Sequence, residues 1–414
     1  MVLQPALSGL PRGRPATESL TTVAPGASQE EIRRQNLGAL LRHVHVHGPT
    51  TRAQLTSRLG LNRSTIGALA GDLVAAGLVT EDVAPSVTRR AGRPSLVVSP
   101  RSDGVYARAL SIEAGKLRAA RIGLGGRILD LRETVRPAGM SAVDAVGALA
   151  DMVRDMERAV TADAVCVGGA VAVADTARDS DGRIRFSGPD ETLRAALEAE
   201  IAVGLPFLAG DLADIAGLAE HIRGAAAGSG NLVYLHGDLG VSAGLIIDGR
   251  LVVGHQGHGG QVGHMVVNPN GRPCWCGSRG CWETEIGEAA LLRHAGREPD
   301  AAGGVAEVLR AAAQGEPAAT EAVRRVAEWL GFGVANLVNI INPDTVVLGG
   351  SLGEIYAAAS DTVRHRLGEV ALPTSWPQVQ LRTAALGCDA ALIGAAELAF
   401  ERLLADPLNV GGAA

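Results

Sequence analysis

The stretch GGQVGHMVVNPNGRPCWCGSRGCWETE, residues 259–285, contains one histidine and three of the five cysteines of the chain. His264 stands ten residues before Cys274, and the cysteines at 274, 276 and 281 fall within eight positions. One imidazole and three thiolates can close a tetrahedron around zinc and leave no coordination position open. The spacing therefore predicts a structural zinc site with the ligands His264, Cys274, Cys276 and Cys281.

Buried free thiols or a redox pair are the alternatives for this cluster. Either would leave His264 without a role, together with Gly277 and Gly280, which give the loop the backbone freedom it needs. Cys166 and Cys388 lie outside the pattern, and we expect them to pack in the core. Five cysteines in 414 residues are too few for a disulfide scaffold, which favours a reducing compartment.

The composition is typical of a globular chain with two or three domains, since 47% of its 414 residues are hydrophobic and its net charge is −6. No apolar run reaches the roughly 18 residues that a bilayer span needs, and the amino end lacks the apolar centre of a signal peptide. We therefore expect a cytoplasmic protein with no membrane partner.

Positive charge is concentrated at the amino end. Residues 1–100 carry eleven arginines against six acidic residues, a net charge of +5, which leaves −11 for the remainder. A polyanion partner requires such segregation, because each phosphate that is neutralised releases a counterion. Ordinary scatter of surface charge is the alternative.

Three helices are predicted after residues 1–27, which have no apolar period and are expected to form a disordered tail. Apolar positions recur at helical spacing and end at caps and glycines. The pattern predicts helices from Ser28 to the stop at Gly48, from Thr50 or Thr51 to Gly60, and from Asn62 to Gly77.

Two strands with an arginine-rich loop between them complete this region. Residues 78–80 and 95–98 read as strands, and the loop contains Arg-Arg-Ala-Gly-Arg-Pro at 89–94. The short break between the second and third helices has helix-turn-helix dimensions. Residues 28–100 are therefore predicted to form a winged helix-turn-helix domain, although a three-helix dimerisation or lid module would have a similar helical pattern.

A winged helix binds duplex DNA by placing its third helix in the major groove and its wing in a narrow minor groove. Other side chains then position the domain through phosphates. The candidate DNA contacts are Thr51 and Arg52 for phosphates, Arg63, Ser64 and Thr65 for base edges, and Arg89, Arg90 and Arg93 for the minor groove.

The remaining three quarters of the chain have an α/β pattern. Apolar stretches with strand character occupy 105–110, 117–122, 164–173, 232–235, 243–247 and 345–348, with helical patterns between them. A long amphipathic helix is predicted over 320–341.

Taken together, the winged helix, the arginine wing and the H-x9-C-x-C-x4-C cluster resemble the ROK family (repressors, open reading frames and sugar kinases) in its repressor branch. The resemblance implies a body of two α/β lobes of the actin and sugar-kinase type, a duplicated RNase H-like fold, with a ligand cleft between them. It also implies a homodimer or homotetramer. We expect the first lobe at 101–214, with a C-terminal helix at 388–406 packing back on it, and the second lobe, with the zinc site, at 215–387.

The phosphate-binding loops of the kinases in this family are altered. Their Asp-x-Gly-Gly-Thr pattern reads Ser-Ile-Glu-Ala-Gly at 111–115, and their second glycine-rich loop reads Asp-Leu-Gly-Val-Ser-Ala-Gly at 238–244. Phosphoryl transfer needs glycines that let backbone amides approach the phosphates, and Asp238 puts a carboxylate where they would lie. We expect neither ATP nor Mg²⁺ to bind and no catalytic activity.

The sugar-binding positions are better preserved. The general base of the family's kinases corresponds to Asp211, which would be its relic; a buried helix cap is the alternative role. The Glu-x-Gly-His motif reads Gln-Val-Gly-His at 261–264, and a further Glu corresponds to Glu283. The resemblance implies that Asp211, Gln261, His264 and Glu283 bind a sugar, with His264 serving both the metal and the ligand.

These observations predict a transcriptional regulator, most simply a repressor, that binds a palindromic operator in double-stranded DNA and senses a sugar or sugar derivative. One alternative is an active sugar kinase with an appended DNA-binding domain. The other is a DNA-binding protein that responds to no ligand.

Overall fold

The computed structural model describes residues 28–83, 96–137, 139–174, 176–178, 184–186, 191–202, 204–238, 240–298 and 304–409. The expected tail at 1–27 and the wing residues Arg89, Arg90 and Arg93 lie outside these ranges. In the described part of the chain, no helix is both long and apolar enough to cross a bilayer.

The amino-terminal module has three helices and a small sheet. Its elements are α1 (Gln29–His47), β1 (Thr50–Thr51), α2 (Arg52–Leu59), α3 (Arg63–Ala75), β2 (Val79–Val83) and β3 (Leu96–Pro100). The strands pair antiparallel in the order β1-β3-β2. Each helix begins where sequence analysis predicts, because the side chains of Ser28, Thr51 and Asn62 accept a backbone amide of the first turn. The module is a winged helix-turn-helix.

The first lobe is built on a five-stranded sheet. Its elements are β4 (Val105–Ile112), β5 (Lys116–Gly123), β6 (Arg127–Val135), α4 (Ala142–Glu157), β7 (Val165–Val173), the hairpin β8 (Thr176–Arg178) and β9 (Ile184–Phe186), α5 (Glu191–Leu197) and β10 (Phe207–Asp211). The strand order is β10-β7-β4-β5-β6, with β7 and β10 parallel to β4 and the other pairs antiparallel.

The second lobe repeats this topology. After α6 (Leu212–Ile222) it contains β11 (Leu232–Gly237), β12 (Val241–Ile247), β13 (Arg250–Leu251), α7 (Glu283–Ile286), α8 (Glu288–His294), α9 (Gly304–Ala313), α10 (Pro317–Ile341), β14 (Thr345–Gly349), α11 (Gly350–Val370) and β15 (Gln380–Thr383). The last described helix is α12 (Ala390–Ala405). The order β13-β12-β11-β14-β15 has the same pattern of antiparallel and parallel pairs. The body is thus a duplicated α/β fold, as the resemblance implies.

Two helices join the lobes by exchanging sheets. Helix α6 follows the first sheet but packs on β11 and β12, whereas α12 follows the second sheet but packs on β4 and β7. The two helices cross at Gly394, where a Cβ would come 1.9 Å from the carbonyl oxygen of Ile215. Glycine at this position is therefore required for the close approach.

Some strands and one cysteine differ from expectation. The sequence pattern missed β6, most of whose residues are partly or fully exposed, and the short strands β10 and β15. The expectation that Cys388 packs in the core is wrong, because it is exposed on a 3-10 turn, whereas Cys166 is partly buried.

Candidate functional site

The predicted metal ligands converge in the second lobe. The ligand atoms of His264, Cys274, Cys276 and Cys281 all lie within 4.8 Å of one another. Nδ1 of His264 is 3.7 Å from Sγ of Cys274, and the Sγ atoms of Cys276 and Cys281 are 3.6 Å apart. In a zinc tetrahedron with Zn–S bonds of about 2.3 Å, neighbouring sulfurs lie about 3.8 Å apart. The donor set and its spacing therefore fit one tetrahedral ion.

The backbone around the cluster is held from two sides. Gly280 has φ +70°, and a Cβ there would come 1.5 Å from the carbonyl oxygen of Asn268, so glycine is obligatory. The next residue but one, Trp282, is fully buried and donates its indole N–H to the carbonyl oxygen of Trp329 in α10 at 2.8 Å. The loop that carries the three cysteines is thereby fixed to α10, the longest helix of the lobe.

The protein environment disfavours thiolates unless a cation is bound. Burial raises the pKa of the Cys274 thiol, and the Glu283 carboxylate, whose Oε1 is 3.1 Å from the sulfur, raises it further. Burial also raises the pKa of the Cys281 thiol. Metal binding requires thiolates, so a dication would have to supply the compensating charge.

The four residues implied in sugar binding lie around β12. His264 and Glu283 are adjacent, with Nδ1 of the imidazole 3.7 Å from Oε1 of the carboxylate. Because Nδ1 faces the sulfurs, Nε2 is the ring nitrogen outside the metal cluster. Gln261 follows Gly260, which packs on Ala243 of β12, and Asp211 begins α6, which packs on the same strand.

Two buried acceptor oxygens in this region have no donor in the part of the chain that the structure describes. Oε1 of Gln261 and Oε2 of Glu283 are buried and lack a hydrogen-bond partner among the described residues. Unsatisfied buried acceptors are unfavourable by about 1–3 kcal/mol each. The hydroxyl groups of a bound polyol would donate hydrogen bonds to both oxygens.

Asp211 has the capping role that sequence analysis kept as an alternative. Its Oδ1 accepts the amide of Ala213 at 2.8 Å, and it is the N-cap of α6. Burial raises the pKa of Asp211 to about 6, although hydrogen bonds from the amides of Ala213 and Asp214 oppose the shift. This capping role does not exclude a ligand contact through the remaining lone pairs.

Asp214 is a buried acid that sequence analysis missed. It is 2% exposed, lies one turn from Asp211, and its Oδ1 has no partner among the described residues. Burial, and then the charge of Asp211, raise the pKa of Asp214 to about 8. A carboxyl group three residues after a helix cap looks like an ordinary first-turn acid, so the sequence carried no signal of its burial.

The turns that correspond to the kinase phosphate loops carry acids. In the turn after β4, Glu113 accepts the hydroxyl of Ser111 at 2.7 Å. Burial, the largest effect, raises the pKa of Glu113, whereas the Ser111 hydroxyl and the charges of Lys116 and Arg118 lower it. The charge of Asp238, in the turn after β11 of the other lobe, also raises the pKa of Glu113 and is the smallest of these effects.

Helix α3, which is expected to enter the major groove and is called the recognition helix below, carries the predicted base-contacting residues at its start. Arg63 and Ser64 are exposed and Thr65 is half-buried. The Ser64 hydroxyl donates to Oδ1 of Asn62 at 2.7 Å, and the amide of Thr65 donates to the same oxygen at 2.8 Å. The first turn is thus well ordered, with Arg63 on the surface.

The two residues expected at phosphates have contacts inside the domain. Thr51 forms a capping box with Gln54 at the start of α2. Arg52 forms a bidentate ion pair with Glu81 of β2. Their roles toward DNA stay predictions.

Comparisons with known proteins give a consistent picture. A profile of the ROK family matches residues 109–402. The xylose repressor of Bacillus spizizenii is 24% identical over 390 residues, which are 91% of this chain and 98% of that protein. The DNA-binding transcriptional dual regulator NagC of Escherichia coli is 25% identical over 343 residues, 78% of this chain and 82% of that protein. A glucokinase of Streptomyces coelicolor is 33% identical over 229 residues, 51% of this chain and 72% of the enzyme.

Solved structures have the same architecture. A ROK family transcriptional regulator, a homolog of the E. coli MLC protein, superimposes with a TM-score of 0.71 at 23% identity, covering 91% of this chain and 98% of the other. A ROK family glucokinase from Streptomyces griseus in complex with glucose and AMPPNP gives a TM-score of 0.58 at 26% identity, covering 71% and 98%. The relatives that match over most of this chain are named as regulators, whereas the glucokinase from S. coelicolor matches about half of it. Because the profile covers more than half of the sequence, the chain belongs to the ROK family.

Proposed function

We propose that this protein is a sugar-responsive transcriptional regulator, a repressor, that binds operator DNA through its winged helix and a sugar or sugar derivative in the body. The observation that carries the proposal is the joining of a winged helix to a ROK body in one chain. The xylose repressor similarity extends over both parts, since it spans 91% of this chain. In this proposal Arg63, Ser64 and Thr65 contact base edges.

The ligand site is proposed at Asp211, Gln261, His264 and Glu283. The two buried acceptors without donors, on Gln261 and Glu283, support a ligand rich in hydroxyl groups. Zinc at the His264 cluster would orient the imidazole and hold the loop that carries Glu283, because Cys281 and Glu283 are two residues apart. The metal would stabilise the conformation of this loop, and it would have no open coordination position at which to activate water.

The body is proposed to be catalytically inactive. Glu113 and Asp238 would face the phosphates of a nucleotide, and like charges a few ångströms apart are unfavourable by several kcal/mol. The general-base position, Asp211, is present but caps a helix. A sugar kinase with an appended DNA-binding domain is therefore less well supported.

The proposed oligomer is a homodimer or homotetramer that places two winged helices on a palindromic operator. A sugar that favours one arrangement of the lobes would change the arrangement of the paired recognition helices. Each base contact that is lost weakens binding by about 1–3 kcal/mol.

Selection of bound fragments from a genomic DNA library, with the full-length chain, tests the proposal directly. We expect a small set of related fragments, and we expect D-xylose, D-glucose or N-acetyl-D-glucosamine to change affinity for them. An assay for ADP release with the same sugars should give no activity. Failure to enrich any fragment, or steady phosphate transfer to a sugar, would refute the proposal.

A further inference from the structure

A buried polar junction joins the winged helix to the body. His45 of α1 and Glu397 of α12 are 0% and 2% exposed, and Nε2 of the imidazole is 2.9 Å from Oε2 of the carboxylate. Nε of Arg223 lies 2.5 Å from the other oxygen of Glu397. A carboxylate this deeply buried is tolerated only when it is paired and hydrogen-bonded. The three side chains therefore form one unit.

The orientation of His45 is fixed at both ring nitrogens. The amide of Gly125, in the turn between β5 and β6, donates to Nδ1 at 2.9 Å. Because Nδ1 accepts, the ring proton is on Nε2, which donates to Glu397. His45 thus connects α1, the first sheet and α12.

Arg223 binds the end of α1 as well as Glu397. Its Nη2 is 3.0 Å from the carbonyl oxygen of His45, and its Nη1 is 3.4 Å from that of Val46. Carbonyls in the last turn of a helix lack partners within the helix and carry partial negative charge. One guanidinium therefore caps α1 of the winged helix and neutralises the buried carboxylate of the body.

Helix α6 connects this junction to the proposed ligand site. Asp211 is the N-cap of α6 and Arg223 is its C-cap, so the 11 residues of the helix lie between them, a rise of about 18 Å from cap to cap. The same helix packs on the second sheet and crosses α12. A helix of this length moves as a rigid body, so a displacement of its beginning is carried to Arg223.

We propose that Arg223 is the positioning residue that transmits ligand binding at Asp211 to the winged helix. This inference rests on the proposed function. A ligand that moves α6 against α12 changes the distance from Arg223 to Glu397 and to the end of α1 together. Since all three contacts converge on one guanidinium, they cannot be kept if the two helices shift.

A second ion pair between the same helices provides the matched control. Arg42 of α1 binds Glu401 of α12 through two hydrogen bonds of 2.7 and 2.9 Å. The two hydrogen bonds of this pair join α1 and α12 and involve no residue of α6. Substitution there alters an interdomain contact of the same chemistry and leaves the hydrogen bonds of Arg223 in place.

The test measures operator affinity with and without D-xylose, D-glucose and N-acetyl-D-glucosamine for the wild type, Arg223→Lys, Arg223→Gln and Arg42→Lys. Lysine keeps the charge next to Glu397 but cannot reach all three partners. For a sugar that shifts wild-type affinity, we expect the shift to fall to about twofold or less in both Arg223 variants and to persist in Arg42→Lys. Calorimetry should show that the variants still bind that sugar. A full shift in Arg223→Lys would overturn the inference.

If the wild type binds no fragment or responds to none of these sugars, the proposed function has failed, and hydrogen exchange separately tests whether Arg223 holds the end of α1, which the inference requires. We expect the amides of Gly125 and of the last turn of α1 to exchange faster in both Arg223 variants, and not in Arg42→Lys, than in the wild type. Unchanged exchange at these amides would overturn it.

Discussion

The guanidinium of Arg52 binds both carboxylate oxygens of Glu81, with Nε 2.6 Å from Oε1 and Nη2 2.5 Å from Oε2. Arg52 begins α2 and Glu81 lies in β2, so the pair fixes the helix-turn-helix to the wing. Nη1 also lies beside Gly67 of α3, 3.1 Å from where a Cβ would stand. The donors that sequence analysis assigned to a phosphate are therefore used inside the domain.

Glu81→Gln should release Arg52 for DNA. We expect the variant to bind duplexes of any sequence more tightly, with a salt dependence steeper by about one phosphate contact. Arg52→Met should instead lower the free energy of unfolding by about 1 kcal/mol, since the pair is partly exposed, and leave the salt slope unchanged. Anisotropy titrations over a range of salt concentrations check both. A shallower slope in Arg52→Met would mean that Arg52 also contacts a phosphate, as the sequence predicts.

Cys276→Ser should release the metal and destabilise the body. Binding free energy at a closed zinc site is folding free energy, so the apparent Tm should fall by about 5 °C or more. Cys388→Ser is the control, because Cys388 is exposed and outside the cluster. Elemental analysis gives the zinc content, and calorimetry gives the Tm. Equal zinc in the two variants would contradict the assignment.

Local sequence signals predicted the features that depend on neighbouring residues. The caps Ser28, Thr51 and Asn62 begin their helices where expected, and the four metal ligands come together, because their spacing lies within 18 residues. Caps and tight metal loops are encoded locally.

Features that depend on distant residues could not be predicted. Glu397 and His45 are 352 residues apart in the sequence, and no pattern near either residue indicates that they pair. The pairing of Arg52 with Glu81 depends in the same way on the fold of the whole domain. Sequence analysis missed β6 because its exposed residues show no apolar alternation. The strand is defined instead by its hydrogen bonds to β5.

Asp214→Asn should stabilise the protein more at neutral than at acidic pH. The pKa of Asp214 is about 8 in the folded state against an ordinary value of 3.8. The folded state therefore keeps a proton that the unfolded state releases, so stability falls as the pH rises from about 4 to about 8. Asparagine removes this loss, and its stabilising effect should be larger by about 3 kcal/mol at pH 7.5 than at pH 5. Denaturant titrations at both values measure it; an equal effect at both would mean that Asp214 is ionised when folded.

Arg63→Ala should reduce the sequence specificity of operator binding. Arg63 is exposed in the first turn of the recognition helix, where a guanidinium can bind a guanine edge through two hydrogen bonds. We expect a loss of about 1–3 kcal/mol for the selected operator and little change for unrelated duplexes. Arg158→Ala, which removes an exposed arginine from the body, serves as the control for net charge. A uniform loss on all duplexes would place Arg63 at the phosphate backbone.

Adenine nucleotides should not protect this protein against thermal unfolding. Glu113 and Asp238 lie in the two turns that correspond to the phosphate loops of the kinases, so a bound triphosphate would add negative charge beside two carboxylates. The double variant Glu113→Gln and Asp238→Asn removes this repulsion and should gain weak protection by AMPPNP with magnesium. It should still release no ADP with hexoses, because the two adjacent glycines that let backbone amides approach the phosphates are replaced by Glu113 and Ala114. Thermal shift and a coupled ADP assay measure the two effects separately. Protection of the wild type by AMPPNP would mean that the nucleotide avoids these acids and that the body kept its ancestral ligand.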